Sequence, residues 1–229
     1  MRAGVCNGFI GNRILTHYRK AADYLVLEGA APYQIDNALE AFGWAMGPFR
    51  ANDLSGLDIG YASRKRRAPD RPAAERYSEL PDLIVEAGWL GRKTKMGWYD
   101  HSTKPAQVNP GVAPIIDKVR SDHGITPRDL TDQEIVDRYM TGMISEATCV
   151  VQDGIAQRPI DVDATFLFGY GFPRWQGGPL HYADTIGAAT LVKRINAYAI
   201  DDAHYWQVPA LLQRMADDGT TFADLNAED

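Results

Sequence analysis

The segment Glu28-Gly29-Ala30-Ala31 with Ile35-Asp36 returns 125 residues later, from residue 28 to residue 153, as Asp153-Gly154-Ile155-Ala156 with Ile160-Asp161. Further along, Gly47-Pro48-Phe49 with Asp53 and Gly56 matches Gly178-Pro179-Leu180 with Asp184 and Gly187. The second offset, from residue 47 to residue 178, is 131, so we expect six extra residues in the second copy, around Gly171 to Gln176. Such repeated order and spacing indicate one unit present twice. The alternative is that helix ends acquire Gly, Pro and Asp independently.

Each copy begins with apolar residues spaced as on one face of an α-helix. Steps of three and four residues place side chains on the same face. In the first copy the face comprises Phe9, Ile10, Ile14, Leu15, Tyr18, Ala22, Leu25 and Val26, and in the second Ile135, Val136, Tyr139, Met143, Ala147, Val150 and Val151. Strand patterns are almost absent, so the sequence predicts an all-α fold with a duplicated unit.

Proline and aspartate mark the starts of shorter helices in both copies. Pro48 and Pro179 are suited to the first position of a helix, where proline is favoured. Asp36 and Asp161 take matching places near another helix start, because the positive end of a helix favours a carboxylate.

The two helical patterns are separated by a region rich in proline, glycine and charge, roughly residues 68–131. Within it, the stretch from Lys104 to Pro114 holds three prolines and is the best linker candidate. We therefore expect a first helical repeat at residues 1–104, a linker and short helix at 105–130, and a second repeat at 131–229.

Composition limits the classes of partner. The chain has 229 residues, 45% hydrophobic and 24% charged, which is ordinary for a globular protein. A net charge of −6 argues against nucleic acid as a partner. No apolar run is long enough for a membrane span, and no signal peptide is evident. Two distant cysteines favour reduced thiols, so we expect a cytoplasmic protein.

Nucleotide and metal motifs fail on spacing. Gly169-Tyr170-Gly171 resembles the start of a dinucleotide fingerprint, but Arg174 occupies the third glycine position and no strand precedes it. We therefore expect no cofactor-binding residues in this chain. Metal ligands usually cluster in sequence, and the histidines do not, so we expect no metal site. They are His17, His101, His123, His181 and His204.

One dense basic run, Arg64-Lys65-Arg66-Arg67, allows two interpretations. It could contact the phosphates of a ligand such as coenzyme A. It is also typical of a solvated helix C-terminus, where cations suit the helix dipole.

Asn12 is the most informative single residue. It lies after Gly11 in the first turns of a long helix, where its amide could donate to a polarised oxygen. The alternative is a polar residue that satisfies the free amides of the helix start. At the offset of 125, Arg13 recurs as Arg138 whereas Asn12 is replaced by Asp137. The difference suggests that Asn12 has a task that the second copy lacks.

Four groups of segments together are typical of one protein family. They are Gly8-Phe9-Ile10-Gly11-Asn12-Arg13, Met46-Gly47-Pro48-Phe49 with Asp53-Leu54-Ser55-Gly56-Leu57-Asp58, Gly91-Arg92-Lys93-Thr94 with Gly97-Trp98-Tyr99, and Gly169-Tyr170-Gly171-Phe172-Pro173-Arg174-Trp175-Gln176-Gly177-Gly178-Pro179. On these segments the chain resembles, over nearly its whole length, the C-terminal domains of L-3-hydroxyacyl-CoA dehydrogenases, in two repeats, as in multifunctional fatty-acid β-oxidation enzymes. Two departures stand out: Lys95 replaces a usual glycine, and Ala45 replaces a frequent proline.

The resemblance implies a helical, NAD-dependent oxidoreductase part of β-oxidation whose two copies pack as a pseudo-dimer. It implies that Asn12 is catalytic and that Met46 and Phe49 line the acyl-CoA pocket, although a core role is equally open for these two. It also implies that NAD is bound by a separate domain missing from this chain. Acyl-CoA and that domain are then the expected partners, with a homo-oligomer as a further one, and the isolated chain is expected to be inactive. The alternative is a stand-alone helical module that binds acyl-CoA or a protein without catalysis.

Overall fold

The computed structural model describes residues 2–226, which contain twelve α-helices and one two-stranded antiparallel ribbon. The helices confirm the predicted all-α class. They are α1 (Gly11–Glu28), α2 (Pro32–Phe42), α3 (Pro48–Ser55), α4 (Leu57–Arg67), α5 (Leu80–Glu86), α6 (Val112–Asp122), α7 (Asp132–Gln152), α8 (Pro159–Gly169), α9 (Pro179–Ile186), α10 (Ala188–Tyr198), α11 (Ala210–Asp218) and α12 (Phe222–Leu225). The strands are β1 (Tyr99–Asp100) and β2 (Gln107–Val108).

The described residues form two compact units that do not follow the order of the chain. Unit 1 comprises residues 2–21, 42–45 and 137–226, and unit 2 comprises residues 22–41 and 46–136. The long helices α1 and α7 therefore contribute to both units. The repeat boundaries at 1–104, 105–130 and 131–229 are a different division and stay a prediction, as does the pseudo-dimer.

The apolar faces predicted for α1 and α7 are largely buried. Ile14, Leu25 and Val26 of α1, and Ile135 and Met143 of α7, are at most 1% exposed. Phe9 is an exception, because it lies before the first residue of α1 and is 54% exposed with a positive φ of 50°.

Helices α2 and α8 show where the second copy is longer. Each has eleven residues and begins at a proline, Pro32 and Pro159, an offset of 127. Two of the extra residues thus lie in the turn before α8, and four lie between α8 and Pro179. Our expectation that all six fall around Gly171 to Gln176 was wrong, because the match of Ile35-Asp36 to Ile160-Asp161 is displaced by two residues.

Buried aspartates cap the short helices that follow. The carboxylate of Asp36 accepts the backbone N–H groups of Phe49 (2.9 Å) and Arg50 (3.0 Å) at the start of α3. Asp163 does the same for Leu180 (2.7 Å) at the start of α9. The counterpart of Asp36 is therefore Asp163 and not Asp161, which instead lies in the first turn of α8.

The environment of the capping carboxylates shifts their pKa values upward. Burial raises the pKa of Asp36 to about 6, against the opposing hydrogen bonds from Tyr99 and the start of α3. Burial likewise raises the pKa of Asp163 to about 6. Both side chains are therefore ionised at neutral pH, and each carries its charge at the positive end of a helix.

The repeated Gly-Pro pairs follow from this capping. A Cβ on Gly47 would overlap Asp36, and a Cβ on Gly178 would overlap Asp163. Only glycine lets the aspartate come close enough to bond the helix start, and the proline that follows has no N–H to satisfy. The motif that revealed the duplication thus marks a close approach of side chain to backbone.

A second aspartate in each copy binds a segment far along the chain. In unit 2, Asp53 accepts the N–H groups of Trp98 and Tyr99 at 2.9 Å each, and its Oδ2 lies 2.8 Å from Nε2 of His101. In unit 1, Asp184 accepts the N–H groups of Phe222 (2.8 Å) and Ala223 (3.0 Å) at the start of α12. This correspondence has the predicted offset of 131.

The region expected to link the repeats is folded into unit 2. Its strand β2 pairs with β1, and the buried side chain of Asn109 donates to the carbonyl of Gly97. Lys95 adopts a left-handed φ of 61°, so the turn keeps a conformation typical of glycine although lysine occupies it. Between residues 2 and 226, no helix combines the length and apolar character that a membrane crossing requires.

The Asp53 contacts generate a stability prediction. Asp53→Ala leaves two buried N–H groups without acceptors, so we expect the free energy of unfolding to fall by about 2–6 kcal/mol. Urea denaturation followed by circular dichroism measures the change. The matched control is Asp58→Ala, which removes an exposed carboxylate paired with Lys93 and should change the midpoint little. Equal midpoints for the two variants would contradict the role given to Asp53.

Candidate active site

Asn12 is the second residue of α1, and its side chain is exposed. Its Oδ1 accepts a hydrogen bond of 2.9 Å from the hydroxyl of Tyr170. Its Nδ2 makes no hydrogen bond within residues 2–226, so two N–H groups are available to a ligand. Asn12 thus presents an exposed N–H donor, and its catalytic role stays a prediction.

Tyr170 directly follows α8 and lies against the start of α1. Its ring stacks on Phe166, with centroids 4.8 Å apart and an angle of 27°. A Cβ on Gly11 would overlap the Tyr170 ring, so the glycine before Asn12 is required for this contact. The sequence patterns that included Tyr170 did not connect it with Asn12, because the two residues are 158 positions apart.

Arg13 anchors the start of α1 to α7. Its guanidinium lies 2.5 Å from Oε1 of Glu146 and 2.8 Å from Oδ2 of Asp153. Burial lowers the pKa of Arg13, but the hydrogen bonds to Glu146 and Asp153 outweigh it and the pKa is raised overall. The residue next to Asn12 is therefore held by two charge-assisted contacts.

The corresponding residues of the second copy are differently engaged. Asp137 forms an ion pair of 3.2 Å with Arg194, and the Arg138 guanidinium lies 4.7 Å from the centre of the Tyr198 ring. Asp137 thus occupies the place of Asn12 with a structural ion pair.

A family model describing the "3-hydroxyacyl-CoA dehydrogenase, C-terminal domain" matches residues 8–101 and 135–222. The chain belongs to this family. The match in two segments supports the duplication read from the sequence.

The curated relatives are much longer proteins. A peroxisomal bifunctional enzyme from Danio rerio is 40% identical over 95% of this chain and 32% of its own length, and one from Homo sapiens is 38% identical over 85% and 29%. A fatty acid oxidation complex subunit alpha from Pseudomonas syringae pv. tomato is 35% identical over 95% and 30%. The chain spans about a third of the length of these relatives.

Two solved structures share the fold. A 3-hydroxybutyryl-CoA dehydrogenase from Escherichia coli superposes with a TM-score of 0.73 at 21% identity, covering 94% of this chain and 61% of that one. The dehydrogenase part of multifunctional enzyme 1 from C. elegans gives 0.71 at 22% identity, covering 92% and 48%. At these identities the likeness shows the fold of the dehydrogenase family and no more.

The residues expected to line an acyl pocket lie in unit 2, whereas Asn12 lies in unit 1. Phe49 is fully buried and meets Trp98 edge-on, with centroids 4.6 Å apart, which is a core contact. Met46 is half-buried. Unit 2 also has an apolar cavity of about 180 Å³ beside Trp98 and Ile116, which neither Met46 nor Phe49 lines. A pocket role for these two residues of the dehydrogenase domain stays a prediction.

The basic run ends α4, as one of its two interpretations expected. Arg64 pairs with the buried Asp82 at 2.6 Å, and Lys65 lies 3.6 Å from Glu86. Arg66 and Arg67 are exposed at the helix C-terminus, where cations suit the dipole.

The side chain of His17 on α1 is 23% exposed, and its Nδ1 lies 3.7 Å from Oε2 of Glu146. Its ring stacks on Tyr205 with centroids 4.3 Å apart, and its Nε2 has no hydrogen-bond partner within residues 2–226. Burial, with the charges of Lys20 and Arg13, lowers the pKa of His17 to about 3. The side chain therefore packs, and its state at neutral pH is uncharged.

The lowered pKa of His17 generates a pH prediction. Below about pH 6.5 the unfolded chain takes up a proton that the folded chain refuses until about pH 3, so stability is lost as the pH falls. The variant His17→Phe keeps the stack on Tyr205. Relative to this variant, the free energy of unfolding of the native protein should fall by up to about 1.4 kcal/mol per pH unit between pH 6 and 4. Urea midpoints at several pH values test this, with exposed His204→Phe as control. A difference that does not vary with pH would refute it.

Proposed function

We propose that this chain is the substrate-covering C-terminal part of an NAD-dependent L-3-hydroxyacyl-CoA dehydrogenase of fatty-acid β-oxidation, within a multifunctional enzyme. Acyl-CoA is its substrate, and the domain that binds NAD is its partner. The family match over residues 8–101 and 135–222 supports the proposal. The observation that carries it is the exposed Asn12 amide at the start of α1.

Asn12 is suited to stabilise charge on an oxygen atom. Hydride transfer at the 3-position of the substrate changes the charge on the 3-oxygen, and an oriented N–H donor stabilises the more negative form. Asn12 lies in the first turn of the eighteen-residue helix α1, whose positive end acts in the same direction. The role proposed for its Nδ2 is to donate to the 3-oxygen of the acyl-CoA and to hold that oxygen in place.

The glycine motif that resembles a dinucleotide fingerprint does not fit the cofactor. Gly169-Tyr170-Gly171 lies at the C-terminal end of α8, where a helix presents carbonyl groups rather than the N–H groups that bind pyrophosphate. No strand leads into it. The proposal therefore assigns NAD, and the groups that move the hydroxyl proton, to the partner domain.

The acyl chain is proposed to lie against Met46. Its half-buried side chain precedes the Gly47-Pro48 start of α3, and thioethers adapt well to apolar ligands. Phe49, the second residue of α3, is proposed as a further wall of the acyl site, although its ring packs on Trp98. A cytoplasmic location and a homo-oligomeric state remain parts of this proposal.

The Asn12 assignment predicts a defined kinetic loss. The variant Asn12→Ala is made in the complete enzyme, which is the full product of the gene that encodes this chain. Its kcat for the reduction of acetoacetyl-CoA by NADH should fall by about 10²–10³-fold, as for the loss of other single oxyanion donors. Spectrophotometry of NADH measures it. Residues 1–229 alone should show no turnover.

The matched control for this variant is Asn196→Ala, which truncates an exposed helical asparagine of the same unit and should leave kcat unchanged. Normal turnover by the Asn12 variant would defeat the proposal, as would turnover by residues 1–229 alone. If the complete product reduces nothing yet binds acetoacetyl-CoA, the stand-alone binding module is the correct alternative.

A further inference from the structure

The orientation of the Asn12 amide is set by one neighbour. The oxygen and nitrogen of an asparagine amide are nearly equal in size, so hydrogen-bond partners decide which one faces outward. Here the partner is the Tyr170 hydroxyl, 2.9 Å from Oδ1. The Tyr170 hydroxyl is the donor in this contact, and it stays protonated because burial raises its pKa. A donor at this point selects Oδ1 and turns Nδ2 outward.

We infer that Tyr170, contributed by the second copy, is a positioning residue for the dehydrogenase reaction, whose hydroxyl holds the Asn12 amide with Nδ2 toward the substrate oxygen. The inference rests on the proposed function of Asn12. Tyr170 acts through Asn12 and is not itself placed in contact with the substrate.

The Tyr170 ring is held by contacts on two sides. It stacks on Phe166 of α8, and Gly11 removes the side chain that would otherwise occupy its place against α1. The backbone N–H of Tyr170 donates to the carbonyl of Phe166 and closes the last turn of α8. A rigid ring gives its hydroxyl a fixed position, which is what orienting an amide requires.

The other copy lacks the residues for an equivalent arrangement. Because α2 and α8 are both eleven residues long, Tyr170 after α8 corresponds to Gly43 after α2. At the offset of 125, Gly11 corresponds to Val136. At the positions that correspond to Tyr170 and Gly11, the chain therefore has a glycine without a hydroxyl and a valine whose side chain takes the space of a ring.

Asn12 and Tyr170 have thus changed together between the copies. Asn12 corresponds to Asp137, whose carboxylate pairs with Arg194. An aspartate has no N–H to present, so a tyrosine that orients it would serve no purpose there. Asn12 and Gly11 of the first copy and Tyr170 of the second copy are therefore found together, and none of the three is present at the corresponding position of the other copy.

The test removes the hydroxyl alone. Tyr170→Phe in the complete enzyme keeps the ring and its stack, and we expect kcat to fall about five- to tenfold with KM nearly unchanged, as for one lost hydrogen bond. The control is Tyr182→Phe, a half-buried tyrosine of the same unit whose hydroxyl makes no hydrogen bond within residues 2–226. It should match the native enzyme. A Tyr170→Phe enzyme with native kcat would overturn the inference.

The double variant separates positioning from a structural role. If Tyr170 acts through Asn12, Asn12→Ala with Tyr170→Phe should be no slower than Asn12→Ala alone. Losses that multiply would overturn the inference, because Tyr170 would then act independently. If Asn12→Ala itself is fully active, the proposed function fails instead, so the two failures are distinguishable.

Two further measurements guard against a folding artefact. Gly11→Ala pushes the Tyr170 ring away without removing a polar group, and it should slow turnover to the same extent as Tyr170→Phe. In residues 1–229, the side-chain ¹H–¹⁵N signal of Asn12 should shift and broaden in Tyr170→Phe and not in Tyr182→Phe. An unchanged Asn12 signal would show that the hydroxyl does not orient the amide and would overturn the inference.

Discussion

Aspartate carboxylates that accept backbone N–H groups organise both copies of this protein. The eight-residue helices α3 and α9 are too short to be stable alone and begin with unsatisfied N–H groups. Each receives an aspartate from the preceding helix, Asp36 or Asp163, and carries another, Asp53 or Asp184, that binds a segment 38 to 46 residues further on. Helices α3 and α9 thus each connect an earlier and a later part of the chain through hydrogen bonds to aspartate.

The sequence predicted the parts of this arrangement that depend on local chemistry. Pro48 and Pro179 start helices because proline fits a first turn, and the glycine before each is there for the approaching carboxylate. The correspondence of Asp53 to Asp184 between the two copies followed from the offset of 131 residues that also relates Pro48 to Pro179. The pairing of Asp36 was misassigned, since Ile160-Asp161 imitates Ile35-Asp36 two residues too early. The capping bonds and the equal lengths of α2 and α8 identify Asp163, and helix ends are hard to place from sequence.

The candidate site divides in the same way. Asn12 could be singled out because a polar residue after glycine at a helix start has a recognisable chemistry, and because the second copy replaces it. Tyr170 could not, since a tyrosine after a helix carries no local signal and its partner lies 158 residues away. A signal did exist in the exchange between the copies: Gly11 for Val136 on one helix, and Tyr170 for Gly43 beyond the other. Small-for-large exchanges of this kind point to contact, but only once the correct offsets are known.

The two copies share the arginine that follows the start of the long helix, whereas only the first copy has the asparagine before it. Arg13 and Arg138 both remain engaged, the first with Glu146 and Asp153 of the second copy's long helix and its end. Because Arg13 follows Asn12 directly, the ion pairs fix the backbone that carries the amide, while Tyr170 fixes the amide itself. Both restraints on the first copy's asparagine come from residues of the second copy. On the role inferred for Tyr170, the second copy orients the amide of the first, and this gives a physical reason for the unit to occur twice in one chain.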